Sequence, residues 1–239
     1  PKVDLATGDI IGMEALLRWQ SPELGEIGPE RFIPVTEDNG MILPLGAWVI
    51  EEACCQAKAW LDEGLFAGNV AVNISGIQIR RGDLPELVRR ILHKTGLSAG
   101  TLELEVTEGF IMEEPERAIK ILNELRDLGL TLAIDDFGTG YSSLSYLKSL
   151  PIHHLKIDKS FIRDIPGDKN DMAITQAIIA MATSLDIELV AEGVETETQR
   201  QFLIDEGCRY GQGYLFNKPL RAAEMQQLLQ AQDRQQQAG

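Results

Sequence analysis

The sequence predicts an α/β fold, a (β/α)₈ TIM-like barrel with an antiparallel first strand. Three observations carry that expectation. Eight short β-rich runs alternate with helical patterns along 239 residues, the rhythm of parallel strands covered by helices. Only Ala6, Thr7, Gly8 and Asp9 join the first two runs, far too few for a parallel crossover. From the second run onward each strand carries a polar residue at or near its end, as expected where strand C-termini gather in one mouth. An open doubly wound sheet is the competing architecture.

In chain order, Lys2–Leu5 and Ile10–Leu16 form the antiparallel pair. Helical spacing follows in "IEEACCQAKAWLDEG", and then the strand Val70–Ile74. "LPELVRRILHKTG" closes on Gly96 as helix C-termini prefer, and Leu102–Val106 is the fourth strand. "PERAIKILNELRDLG" closes on Gly129 before Leu130–Ile134. His154–Ile157, a helical "AITQAIIAMATSL", Glu188–Ala191 and Cys208–Gln212 complete the series. No Pro-, Ser- or Gly-rich boundary divides the chain, so residues 1–229 read as one barrel. The Gln-rich residues 230–239 read as a tail that frays after Leu229. Opening strand-like on Pro1, without an initiator Met, the chain reads as a piece of a longer protein.

Asp and Glu number 37 against 22 Lys and Arg, a net charge of −15. Such a surface repels duplex DNA or RNA, and it repels a phosphorylated substrate unless bound cations reverse the local field. Cys54, Cys55 and Cys208 have neither the even number of a disulfide framework nor metal-type spacing, which suits a reducing cytosol. No apolar stretch is long enough to cross a bilayer, and no signal peptide is visible.

The strand ends carry the chemistry. Glu14 lies in the second strand, Asn73 in the third and Glu105 in the fourth. Asp135 with Asp136 closes the fifth, Lys156 and Asp158 the sixth, Glu192 the seventh and Gln212 the eighth. So many carboxylates in one mouth stay ionised only beside cations. The set is all oxygen, which favours Mg²⁺ or Mn²⁺ over zinc. Two ions roughly 3.5–4 Å apart could share Asp135 and clamp a phosphodiester for in-line attack by hydroxide. Adjacent Asp135 and Asp136 would reach them if the chain bends, which Gly138 and Gly140 permit. Lys156 could orient the attacking water or stabilise the charged transition state, and Arg18 could hold a phosphate bidentately.

Taken singly, each residue has a plainer reading. Glu14 could be a surface glutamate, Asn73 a turn former, Asp135 and Asp136 helix caps, and Lys156 a lysine reaching for water. Jointly those readings are improbable. Thr107 with Glu108 is expected to orient other groups, and His153 and His154, at the opposite end of the sixth strand, to be structural. "DFG" lacks the rest of a kinase site, "GTGYSS" lacks a dinucleotide fingerprint's third glycine, and a glycosidase would need only two carboxylates.

"EALLRW" (14–19), "NISGIQ" (73–78), "LELEVTE" (102–108), "AIDDFGTGYSSLSYLKSLP" (133–151), "LKIDKSFI" (155–162), "VAEGVET" (190–196) and "GQGYLFNKPL" (211–220) together resemble the EAL domain. That family comprises bacterial phosphodiesterases that linearise cyclic di-GMP to pGpG. The resemblance implies Glu14, Asn73, Glu105 and Asp135 on one metal, with Asp135 shared and Asp136 on the second. It implies Lys156 beside the nucleophilic water, Glu192 and Gln212 completing the inner ring, and Glu14 and Glu192 joining Lys156 in catalysis. Arg18, Leu16, Asp158, Glu195 and Gln212 are then substrate contacts, and Glu108 holds the "DFGTGYSSL" loop. The family further implies two Mg²⁺ or Mn²⁺ per site and a homodimer through the 136–148 loop and following helix. It also implies upstream sensory or regulatory domains and a cytoplasmic setting, with the parent protein free or anchored in the inner membrane. The glutamine that often precedes Pro1 in the family is not part of this chain, and Asn217 stands where serine is frequent. A receptor that holds cyclic di-GMP without hydrolysis, and a scaffold for protein contacts, are the alternatives.

Overall fold

The computed structural model of the chain describes residues 1–66, 68–140 and 144–238. Its strands are β1 (Lys2–Asp4), β2 (Ile10–Ala15), β3 (Trp19–Ser21), β4 (Gly25–Ile27), β5 (Asn69–Ile74), β6 (Leu102–Thr107), β7 (Thr131–Phe137), β8 (His154–Ile157), β9 (Glu188–Ala191) and β10 (Tyr210–Gly211). Eight of them close a barrel in the order β1, β10, β9, β8, β7, β6, β5, β2. β1 is antiparallel to both its neighbours, and every other pair in the barrel is parallel. The short link after β1 therefore has the consequence expected of it, and the open-sheet alternative is excluded.

Alternation along the strands decides where the core sits. In "LELEVT" of β6, Leu102, Leu104 and Val106 face the helices while Glu103 and Glu105 share the opposite, inward face. Val70, Val72 and Ile74 of β5, Leu132 and Ile134 of β7, and Leu155 and Ile157 of β8 join the same buried apolar layer. The hydrophobic core is thus a shell between sheet and helices, and the barrel axis is lined largely by polar side chains with Ala71, Ala133 and Val190 among them.

The helices are set by their ends as much as by their faces. The 84–95 helix starts on Asp83, whose carboxylate accepts from Glu86 N, and ends on Gly96 at φ +69°. Ser75 with Gln78, and Thr196 with Gln199, form reciprocal capping boxes just after β5 and β9. Each box fixes where the chain leaves the mouth of the barrel.

One small element goes beyond the sequence expectation, and the tail differs from it. β3 and β4 form a small separate hairpin, with Trp19 packed edge-on against Phe32 at 5.8 Å. Three-residue strands carry too little periodicity to be read from sequence. The Gln-rich tail, expected to fray after Leu229, is helical from Ala222 to Ala238, and Ile10 N donates to Gln232 Oε1 at 2.7 Å. No helix among the described residues is long and apolar enough to cross a membrane.

Candidate active site

The fifth strand of the sequence reading stops before Asp135, but β7 runs through both aspartates to Phe137. Asp136 has φ +53°, a left-handed conformation costly for a residue with a Cβ, and the β7–β8 register shifts between Ile134 and Phe137. That bulge undoes the strand's alternation. One carboxylate oxygen from each of Asp135, Asp136 and Glu192 lies within 4.8 Å of the others.

Lys156 stands at the centre of the ring, fully buried. Its Nζ is 2.6 Å from Glu105 Oε2, 2.7 Å from Glu192 Oε1, 3.1 Å from Asp135 Oδ1 and 3.5 Å from Glu14 Oε2. Glu14 also accepts from Asn73 Nδ2 at 2.5 Å and from Gln212 Nε2 at 2.7 Å, and Gln212 Nε2 donates to Glu192 Oε1 at 2.8 Å. Residues from β2, β5, β6, β7 and β8, and from the segments after β9 and β10, thus form one connected network. Every strand-end residue proposed for the inner ring is in it or, for Asp136, beside it.

The charge balance is uneven. Burial would lower the Lys156 pKa, but the carboxylates of Glu105, Glu14, Glu192 and Asp135 outweigh it and raise it well above the ordinary lysine value. Burial pushes Glu105 up to about 7 against the pull of Lys2 and Lys156. Burial, with Asp135 and Glu14 nearby, pushes Glu192 up to about 8. Asp136 is raised by burial and then by Asp135 and Asp158. Burial would raise Glu14 as well, but Lys156 and the two amides hold it below the usual range. The ring carries more negative charge than its ammonium neutralises, and its donors are oxygen atoms. These residues fit hard divalent cations.

Other expected residues stand apart. Leu16, Arg18 and Glu195 are exposed, with Arg18 Nη1 donating to the Leu17 carbonyl and Glu195 N donating to Gln199 Oε1. Asp158 is buried and caps the 159–162 helix, accepting from Ser160 N at 2.9 Å. Glu108, 1% exposed, accepts from Gly138 N at 2.8 Å, and a Cβ on Gly140 would lie 2.7 Å from its Oε1. Of the segment 136–148, residues 141–143 lie outside the described residues. His153 Nδ1 accepts from Leu132 N at 3.1 Å, a structural contact as expected.

Two groups escaped the sequence reading. Lys2 and Glu103 are both buried in the barrel, and Lys2 Nζ contacts Glu103 and also Glu105 Oε1, the latter at 2.9 Å. The signal for Glu103 was present in "LELE", since residues two apart on a strand share a face.

Residues 1–219 match the family described as EAL domain. Among curated relatives, the bifunctional diguanylate cyclase/cyclic di-GMP phosphodiesterase MucR of Pseudomonas aeruginosa is 45% identical over 225 residues, covering 94% of this chain and 33% of MucR. The cyclic di-GMP phosphodiesterase NbdA of the same organism is 48% identical over 231 residues, covering 97% of this chain and 30% of NbdA. A solved structure described as PaMucR phosphodiesterase in complex with c-di-GMP superimposes with a TM-score of 0.91 at 45% identity, covering 94% of this chain and 91% of that one. This chain spans about a third of the length of these curated relatives.

Proposed function

The chain belongs to the EAL domain family, and we propose that it hydrolyses cyclic di-GMP to linear pGpG as the output domain of a larger bacterial signalling protein. Residues 1–229 would be its catalytic barrel. The observation that carries the reading is the bulge at Asp136, a strained backbone that brings adjacent carboxylates to one place. A solvated turn has no need of that strain.

Glu14, Asn73, Glu105, Asp135, Asp136 and Glu192 would hold two Mg²⁺ or Mn²⁺, with Asp135 shared. Bound there, the cations would activate the attacking water and draw charge from the phosphodiester. Lys156 holds a charged ammonium among the carboxylates, oriented to steady the water and the charge that develops on phosphorus. Gln212 fixes Glu14 and Glu192 through one amide nitrogen, so both carboxylates point at the centre. Glu192, whose hold on a proton is strengthened by burial, would receive the proton that the water loses as the new phosphorus–oxygen bond forms, beside Glu14, which Lys156 and the two amides keep ionised. The bond to one ribose 3′ oxygen would break, and that oxygen would take a proton from solvent and leave as a hydroxyl. Arg18 contacts phosphate from the rim, while Leu16, Asp158, Glu195 and Gln212 bound the substrate.

Glu108 keeps the loop after β7 in its working shape, and two copies pair through the 136–148 segment and the following helix. The domain works in the cytoplasm, with its parent protein free or anchored in the inner membrane. Rates of cyclic di-GMP turnover in Glu14→Ala and Lys156→Ala test the assignment. Losses of at least about 100-fold are expected, as for removal of one group that stabilises a transition state. Turnover at the parental rate in either variant would refute it.

A further inference from the structure

Barrels of this architecture usually fill their axis with layers of Val, Ile and Leu. Here the axis holds a column of alternating charge. From the mouth downward it runs Lys156, Glu105, Lys2, Glu103, His154 and Glu188. Lys156 reaches Glu105 Oε2 at 2.6 Å, and Lys2 reaches Glu105 Oε1 at 2.9 Å. Lys2 also contacts Glu103 Oε1. Glu103 Oε2 accepts from Asn69 Nδ2 at 2.8 Å and faces His154 Nδ1. His154 Nε2 lies 3.1 Å from Glu188 Oε2, and Glu188 is exposed at the barrel's lower end. Two carboxylates on one imidazole call for both ring nitrogens to carry protons.

Room for the column is built into the neighbouring strands. Gly12 lies so close to Asn69 that a Cβ there would stand 2.4 Å from Asn69 Oδ1. Alternation sends Ala71 and Ala133 inward at the level of Glu103 and Glu105, where larger apolar residues would fill the axis. Lys2 and His154 line a cavity of about 200 Å³ at the lower end.

A buried array of this kind is no more stable than a well-packed apolar filling of the same volume. Its particular product is the orientation of Glu105. With Oε1 tied to Lys2 below, the carboxylate cannot turn about its terminal torsion, and Oε2 is the oxygen presented to the mouth. Without Lys2, Glu105 would have Lys156 as its one cation and would draw that ammonium away from Glu14, Asp135 and Glu192. We infer that Lys2, seated on Glu103, which His154 holds from below, is a positioning residue that aims Glu105 at the metal site. The inference rests on the proposal that Glu105 is a metal ligand.

The test is Mn²⁺ binding to the full chain, followed by electron paramagnetic resonance, with each variant's fold checked by circular dichroism in EDTA. Glu105→Gln should weaken binding by at least about 100-fold. Lys2→Met, close to lysine in length, should weaken it about 10–100-fold, the usual effect of removing a partner that orients a ligand, and should change the spectrum of the bound ion. His154→Gln, at the open lower end, should act in the same sense by about threefold. Turnover should fall in Lys2→Met through kcat with KM unchanged. If Lys2→Met does not fold, Glu103→Gln takes its place. Parental affinity and an unchanged spectrum in the folded variant overturn the inference while Glu105→Gln still shows the ligand. A parent chain that binds no Mn²⁺, or a Glu105→Gln variant that binds like the parent, overturns the metal reading and the inference with it.

Discussion

Replacing Lys156 with Met removes the charge at the centre of the ring and keeps most of the stem. The ammonium is 1% exposed and has four carboxylates within 3.5 Å. Taking one partner out of a buried ion cluster costs about 3–5 kcal/mol. In a chain of this length each kcal/mol moves Tm by about 2–4 °C. The variant should therefore melt about 6–20 °C below the parent in EDTA at about pH 8.5. The loss should depend on pH. Glu105 and Glu192, raised to about 7 and about 8, bind protons more tightly folded than unfolded. The folded state then holds the extra protons above the ordinary carboxyl range, and stability falls as pH rises through that window. Near pH 5.5 those protons already relieve the repulsion that Lys156 otherwise offsets, so the variant should lose much less there. Melting followed by circular dichroism at the two pH values, with and without Mn²⁺, reads the effect. A Tm within about 2 °C of the parent at the higher pH, less than 1 kcal/mol by the same conversion, would refute the reasoning. So would an equal loss at both pH values.

Asp136→Gly should relieve the backbone strain at φ +53° and gain about 1 kcal/mol in EDTA. The same variant should lose most of the Mn²⁺-dependent rise in Tm, which paired melts detect. Glu108→Ala leaves the Gly138 N–H without its acceptor, a loss of about 1–3 kcal/mol in urea unfolding. Its cyclic di-GMP turnover should fall in parallel assays as the loop loosens. Ca²⁺ in place of Mg²⁺ should stop turnover, because its longer and looser coordination spoils the spacing of the reacting groups. Chromatography of the products checks this.

The barrel was legible because its signals are local. Alternation in β5 to β9, glycine at helix ends and the four-residue link after β1 each act within a few residues. The ring was legible for a different reason, since barrel closure brings strand ends together and only their residue types need be read. Lys2 was not legible. It lies 101 residues from Glu103 and 103 from Glu105, and only the antiparallel entry of β1 puts its ammonium between them. Asp158 illustrates a local role that sequence reading passed over: its carboxylate caps the next helix as well as standing at a strand end. For Asp136 the two glycines that follow hinted at a bend, but the bend falls on the aspartate itself. Strain at a non-glycine residue leaves no compositional trace.

The most direct test is incubation of the parent chain with cyclic di-GMP and Mn²⁺, the products resolved by chromatography beside an EDTA control. Linear pGpG that appears with Mn²⁺ and is absent with EDTA is the predicted result. Bound but uncleaved cyclic di-GMP after long incubation with Mn²⁺ would contradict it and make the chain a receptor.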